Sequence, residues 1–205
     1  MKISKLYEKT ANKKFLYNIM PLDNIPSVIR DGIVSYYEAN KIEHKSIAMD
    51  EIQKRREKVK VNNGAELHKY ANLYFTYNNP MLYRLKNRAD EFCVLAVDIS
   101  ILDTDGCILT DRNASSGYVQ FYEPIQGIKQ IEFDKVFSQY WYDEKNSYAV
   151  NTTNKAIKCA EILIPNKIPY DYVVSACVKS NDIKEKLLLK GFKKKIIVEP
   201  RVFYL

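Results

Sequence analysis

The sequence predicts an α+β domain rather than alternating parallel βαβ units. Three observations carry this. Helix signatures cluster in the first sixty residues, and strand-length apolar runs dominate afterwards. No G-x-G-x-x-G or G-x-x-x-x-G-K-[ST] turn is present, so neither a Rossmann unit nor a P-loop is supported. No internal repeat or flexible linker divides residues 1–205, which reads as one domain.

Residues 14–20 form the first strand. Asp23 or Asn24 then caps a short helix, with Pro26 in its first turn and Gly32 ending it. A polar helix runs over residues 46–60, with Ala48, Ile52 and Val59 as a narrow apolar stripe. Asn62-Asn63-Gly64 stops it. Residues 73–77 form a strand closed by Asn78-Asn79-Pro80, and residues 91–99 an apolar strand. A polar loop covers 111–117, and 133–142 suits a helix. Strands at 159–164 and 172–178 follow, then a helix over 182–190 closed by Gly191. Residues 196–198 and 202–204 finish the sheet.

At 205 residues, 46% hydrophobic and 28% charged, the chain can bury a core, which excludes a disordered protein. No apolar run reaches the ~20 residues of a membrane span. No apolar stretch follows the basic N-terminus, so a cytoplasmic protein is expected. The net charge of +7 is unevenly placed. Residues 1–14 hold five Lys against one Glu; residues 179–205 hold eight basic against three acidic side chains. Basic ends suit a polyanionic partner, although solvated surface lysines give the same count. Tyr74, Phe75 and Tyr77 are either stacking platforms for bases or core residues.

Cys93, Cys107, Cys159 and Cys177 show no C-x-x-C pairing, and His44 and His68 are 24 residues apart. No metal site is expected. Glu161 lies in the apolar run Lys158-Cys-Ala-Glu-Ile-Leu-Ile-Pro165, opposite Ala160, Ile162 and Ile164 by alternation. The plain reading is an outward charge guarding an edge strand beside Pro165; the functional one is a carboxylate retained for chemistry. Arg55 and Arg56 both fall near the stripe of the second helix. Either suits a phosphate or carboxylate, or simply pairs along the helix as Glu51 does with Arg55. Periodicity does not separate them.

Five segments in order then carry a resemblance. They are Phe15-Leu-Tyr-Asn-Ile-Met-Pro-Leu-Asp-Asn-Ile-Pro26, Ser46-Ile-Ala-Met-Asp-Glu-Ile-Gln-Lys-Arg-Arg56 and Leu73-Tyr-Phe-Thr-Tyr-Asn-Asn-Pro-Met-Leu-Tyr83, followed by Asp111-Arg-Asn-Ala114 and the run ending at Pro165. The sequence resembles the DarT-type DNA ADP-ribosyltransferase toxins, distant relatives of the PARP enzymes encoded beside a macrodomain (DarG-type) antitoxin. The resemblance implies an ADP-ribosyltransferase fold with a split, mixed sheet. It also implies transfer of ADP-ribose from NAD to a base of single-stranded DNA, thymine favoured over guanine. Glu161 and Arg56 are implied as the catalytic pair, with Tyr17, Asn18, Met20, Asp23, Asn24 and Tyr74 at NAD. Tyr77, Asn79, Met81, Asp111, Arg112, Asn113, Lys155 and Lys158 are implied at DNA. Asn18 stands where family members usually carry His.

Three alternatives stand beside this: an ADP-ribosyltransferase acting on RNA or protein, a tRNA 2′-phosphotransferase-like enzyme, and a non-catalytic nucleic-acid-binding domain.

Overall fold

The computed structural model describes residues 2–46, 49–62 and 64–204. Helix α1 (Ile3–Ala11) precedes strand β1 (Phe15–Pro21), then come α2 (Ile25–Asp31), β2 (Ile33–Val34), α3 (Tyr36–Ala39) and α4 (Asp50–Glu57). Next are β3 (Tyr70–Tyr74), α5 (Pro80–Arg84), β4 (Phe92–Asp98), β5 (Ile108–Thr110) and β6 (Phe121–Tyr122). The second half holds α6 (Pro124–Gln130), α7 (Phe133–Phe137), α8 (Tyr148–Ile157), β7 (Glu161–Pro165), β8 (Lys167–Ile168), β9 (Val173–Val178), α9 (Asn181–Leu189) and β10 (Lys195–Val198).

Eight strands form one sheet in the order β10-β9-β4-β1-β3-β7-β5-β6. Only β10 and β9 run parallel; every other neighbour is antiparallel. The expected α+β class is therefore right. It follows from antiparallel pairing, because helices are spread along the chain and not gathered at its start. β1 pairs with β4 over seven positions and with β3 through Tyr17↔Tyr74 alone. Beyond that pair the two half-sheets separate, and Asn18 Nδ2 reaches across to the Asn72 carbonyl (3.1 Å). The sheet is split and mixed, as the resemblance implied.

The larger core covers one face, where Leu16, Leu73, Leu95, Val97, Ile162 and Ile164 meet α1, α2, α6 and α9. A smaller cluster of Ile19, Val94, Leu82, Phe92 and Phe203 covers the other face. The α1 helix was missed in the sequence, although Ile3, Leu6 and Tyr7 have helical spacing; Tyr7 is fully buried. Ser147, accepting from Val150 N–H, likewise starts the unforeseen α8.

Several boundaries differ from expectation. β3 ends at Tyr74, not Tyr77, because Thr76, Asn78 and Asn79 fold into a capped turn. The polar helix is shorter than 46–60, and Ala48 of its stripe lies outside the described residues. The 133–142 helix stops at Phe137. Residues 202–204 form a 3₁₀ turn instead of a strand, since Pro200 offers no N–H and the Glu199 carboxylate caps Arg201. Asn24 does not cap α2 with its side chain, which is engaged with the Lys45 backbone.

Gly32 ends α2 at φ +87°, and a Cβ there would lie 2.3 Å from the Ile168 carbonyl oxygen, where β2 pairs with β8. Gly32→Ala is expected to cost about 3 kcal/mol from strain and clash together. A urea midpoint equal to wild type would contradict this.

Candidate functional site

The register of the sheet sets Tyr17, Tyr74 and Glu161 in one row: Tyr17 faces Tyr74, and Tyr74 faces Glu161. Directly opposed residues share a face, so the two tyrosines lead from the split to the carboxylate. Glu161 does not guard an edge, because β7 lies between β3 and β5 and the residue has no exposed surface. An unpaired carboxylate in such a place is very costly, so its partners matter.

They come from two other segments. Arg56 Nη1 straddles the carboxylate, 3.1 Å from Oε1 and 3.0 Å from Oε2, with 10% of the arginine side chain exposed. The Ala114 N–H donates to Oε1 at 3.0 Å. The tie between the two arginines is thereby resolved: Arg56 turns inward, while Arg55 is exposed near Glu51 (3.5 Å). The backbone of Glu161 is fixed as well. Its N–H donates to Thr110 Oγ1 (2.9 Å), whose hydroxyl donates to the Arg112 carbonyl (2.7 Å).

The loop 111–117 builds this arrangement. Asn113 Oδ1 accepts from Ser115 N–H (2.9 Å) and Ser115 Oγ (2.6 Å), shaping the turn that aims Ala114. Asp111 accepts from Gln120 N–H and pairs with Arg112 at 2.9 Å. Residues 111–113, expected at DNA, thus have structural engagements holding the candidate acid. Thr110 and Ala114 were missed; a threonine facing a polar loop across a strand end carries no distinctive sequence signal.

Among the described residues no group of three or more His, Cys, Asp or Glu suited to a metal is present, and His68 has another engagement. It does link α4 to the segment before β3: Nε2 lies 3.0 Å from Gln53 Oε1, and the ring packs on Tyr36 at 4.3 Å. Burial, and then the charge of Arg56, lower its pKa from the ordinary value of 6.5.

The other expected residues divide. Tyr17 and Tyr74 are half-buried, and burial raises both phenols. Asn18 is buried at the split, and its Oδ1 has no partner among the described residues. Met20 packs in the larger core, on the face opposite the row. Asp23 is exposed, paired with Lys190 (2.9 Å) and Lys45 (3.7 Å), while Asn24 brackets Lys45; both staple surface segments. Tyr77 packs edge-on against Tyr17 (5.2 Å, 86°). Asn79 is fully buried as the cap of α5, accepting from Leu82 N–H, so it does not meet a ligand. Met81 lines a small recess beside Arg84 and Arg88, and Lys155 is exposed on α8. Lys158 is not a surface cation. It is 1% exposed, donates to the Val136 and Ser138 carbonyls, and burial lowers its pKa to about 8.

A split mixed sheet with a buried, arginine-held glutamate one strand beyond the split defines an ADP-ribosyltransferase fold. The structure of Thermosipho africanus DarTG in complex with ADP-ribose superposes with a TM-score of 0.80 at 27% identity, covering 94% of this chain and 52% of that one. Thermus sp. 2.9 DarT in complex with ADP-ribosylated ssDNA shares the fold at TM-score 0.80 and 21% identity, covering 94% and 97%. The family model described as ssDNA thymidine ADP-ribosyltransferase, DarT, matches residues 17–204, and the chain belongs to that family. A DNA ADP-ribosyl transferase-DNA ADP-ribosyl glycohydrolase fusion protein of Thermosipho africanus is 30% identical over 199 residues, 93% of this chain and 49% of the relative. The chain thus spans about half the length of that relative. A DNA ADP-ribosyl transferase of Thermus sp. is 26% identical over 190 residues, covering 86% of this chain and 88% of the relative.

Thr110→Val is expected to cost roughly 1–3 kcal/mol, because the Glu161 N–H and Arg112 carbonyl lose their partner. Thr110→Ser restores most of it in urea unfolding; equal midpoints for Val and Thr would count against this role.

His68 supplies a pH prediction. A lowered folded pKa means the unfolded chain binds the extra proton first as pH falls. Its contribution is fully present above pH 6.5 and is lost as pH falls below that value toward the folded pKa. His68→Gln should therefore lose less thermal stability than wild type between pH 7.5 and 5.5 (about a pH unit either side of the ordinary value). Parallel losses would refute it.

Proposed function

We propose that this chain transfers ADP-ribose from NAD to a base of single-stranded DNA, with release of nicotinamide, and that thymine is the base modified. The observation that carries the reading is the buried Glu161, clamped by Arg56 and Ala114 at the end of the Tyr17–Tyr74 row. Family membership supports it, as do relatives described as in complex with NAD+ and with ADP-ribosylated ssDNA.

The residues at the split fit NAD. Tyr17 and Tyr74 offer ring faces and hydroxyls on the Glu161 face of the sheet. Asn18 shares Met20's face of β1, and its amide reaches NAD only where the strands part, with an oxygen that has no partner among the described residues. NAD, when bound, supplies an anomeric carbon whose bond to the nicotinamide ring breaks as the base nitrogen bonds to the same carbon. Glu161 sets a fixed negative charge beside the positive charge that develops there. The incoming base nitrogen loses a proton, which Glu161 accepts. Arg56 and Ala114 hold the carboxylate still while it does so, so no reorganisation is needed at the moment of reaction.

In the proposed cellular role the chain is a toxin acting in the cytoplasm, and its partner is a macrodomain protein that removes ADP-ribose from DNA. The Thermosipho africanus fusion, which joins a DNA ADP-ribosyl transferase to a DNA ADP-ribosyl glycohydrolase, supports that pairing. Among the described residues no helix is long and apolar enough to cross a membrane.

Mass spectrometry of thymine-containing and thymine-free oligonucleotides incubated with NAD tests the activity; RNA and protein serve as competing acceptors. Glu161→Gln should lower DNA modification by on the order of 10²–10³ or more. Glutamine is the better replacement than alanine, because removing the carboxylate outright leaves Arg56 buried and unpaired. Arg56→Ala should match the loss of activity and cost roughly 3–5 kcal/mol of stability, since Glu161 is left alone in the interior. Arg55→Ala should change neither. Near-native modification by Glu161→Gln would remove the main support for the enzyme reading.

A further inference from the structure

A second recess, of ≈ 720 Å³, lies outside the contacts described for Glu161. Six of its ten lining residues are aromatic: Tyr77 ahead of α5, Tyr83 within it, residues 140–142 ahead of α8, and Tyr204 near the C-terminus. We propose that this recess binds a nucleobase of the single-stranded DNA, one flanking the modified nucleotide, by stacking. The proposal rests on the functional reading above and extends it to residues that no comparison assigns.

The chemistry of the lining selects the guest. Planar rings with Asn78, Gln139 and Arg201 among them suit a flat heterocycle with hydrogen-bonding edges, and no carboxylate lines the recess to favour a cation. Trp141 meets Tyr83 edge-on (5.7 Å, 75°), and Tyr204 meets the same ring at 5.1 Å and 88°. Such a contact closes at most one face of a ring, so Trp141 and Tyr204 each keep a face clear of the other rings. Tyr140 is 72% and Tyr142 63% exposed, so this side of the recess is open to an incoming ring. The surroundings suit a polyanion: Lys86 sits over Tyr83 at 4.3 Å, and residues 179–205 carry a basic excess. Arg201 is already balanced by Glu199 (2.7 Å), so stacking, rather than charge, is the recess's own contribution.

The recess is built rather than accidental, and it is tied to the site. Lys158 holds the carbonyls of Val136 and Ser138, which fixes the segment carrying Trp141 to the residues just before Glu161. Asn78 Nδ2 donates to the Gln139 carbonyl (3.0 Å), and the Tyr204 hydroxyl donates to Asn78 Oδ1 (2.8 Å). Tyr77 forms part of the wall and also packs on Tyr17, two strand spacings, roughly 10 Å, from Glu161. A chain with one base at Glu161 brings its neighbour toward this wall.

Trp141 is the sole tryptophan, so its fluorescence reports the recess directly. Wild-type protein is titrated with a thymine-containing oligonucleotide and, separately, with a proline-rich peptide, while anisotropy of an end-labelled oligonucleotide follows binding. DNA should quench Trp141 in step with the anisotropy, and an abasic site at one position beside the modified base should abolish the quench. Trp141→Ala should raise KM for DNA roughly tenfold, leave kcat and the Kd for NAD within about twofold, and be rescued by Trp141→Phe. Saturation without quenching, quenching indifferent to every abasic position, or quenching by the peptide and not by DNA would overturn the proposal. DNA that quenches yet is never modified leaves the base site standing and brings down the functional reading. Modification without quenching does the reverse.

Discussion

Burying a carboxylate without water demands that its charge be met by the protein, and that demand at Glu161 organises much of the chain. Arg56 supplies the counter-charge from α4, and Ala114 supplies an N–H from the loop after β5. Neither segment is near Glu161 in sequence, so each must be held by something else. His68 and Gln53 fasten α4. Asn113 and Ser115 shape the loop, and Thr110 joins it to the backbone of β7. These polar contacts are largely interior, where an unmade bond is most costly, so the arrangement is either complete or expensive.

The second constraint is the split between β1 and β3. A continuous sheet would satisfy every backbone group and leave no groove. Joining the half-sheets at Tyr17↔Tyr74 alone frees backbone and side-chain groups beyond the pair, and Asn18 spans part of the gap while keeping one acceptor unused. The same pairing puts two tyrosines between the split and Glu161. On the proposed function, the groove for NAD comes from strand separation, with no glycine-rich turn at a helix N-terminus.

Several residues show how local chemistry is redirected by tertiary packing. Lys158 reads as a surface cation, but the chain folds over it and its ammonium is spent on two carbonyls. Asn79 looks like a ligand amide and acts as a helix cap. Met20 alternates with Tyr17's face along β1 and so enters the core. In each case the side chain can do either job, and the choice depends on which segment lies across from it. Residues 202–204 have strand-like composition, yet Pro200 and the Glu199 cap turn them into the wall of the aromatic recess.

The amino-acid sequence alone determined most of the main strands and the missing glycine fingerprint, because strand length, alternation and turn residues are local properties; the α+β class was right, but through antiparallel pairing and not through the helix clustering that suggested it. Through the order of its five segments the sequence also singled out Glu161 and Arg56. The tertiary structure decided which arginine turns inward: Arg55 and Arg56 are adjacent and chemically identical, and only the position of β7 across from α4 distinguishes them. It decided too that Glu161 lies inside the sheet, since strand order follows from long-range pairing with β3 and β5. The partners of that carboxylate lie 47 and 105 residues away, a separation over which no local pattern carries information.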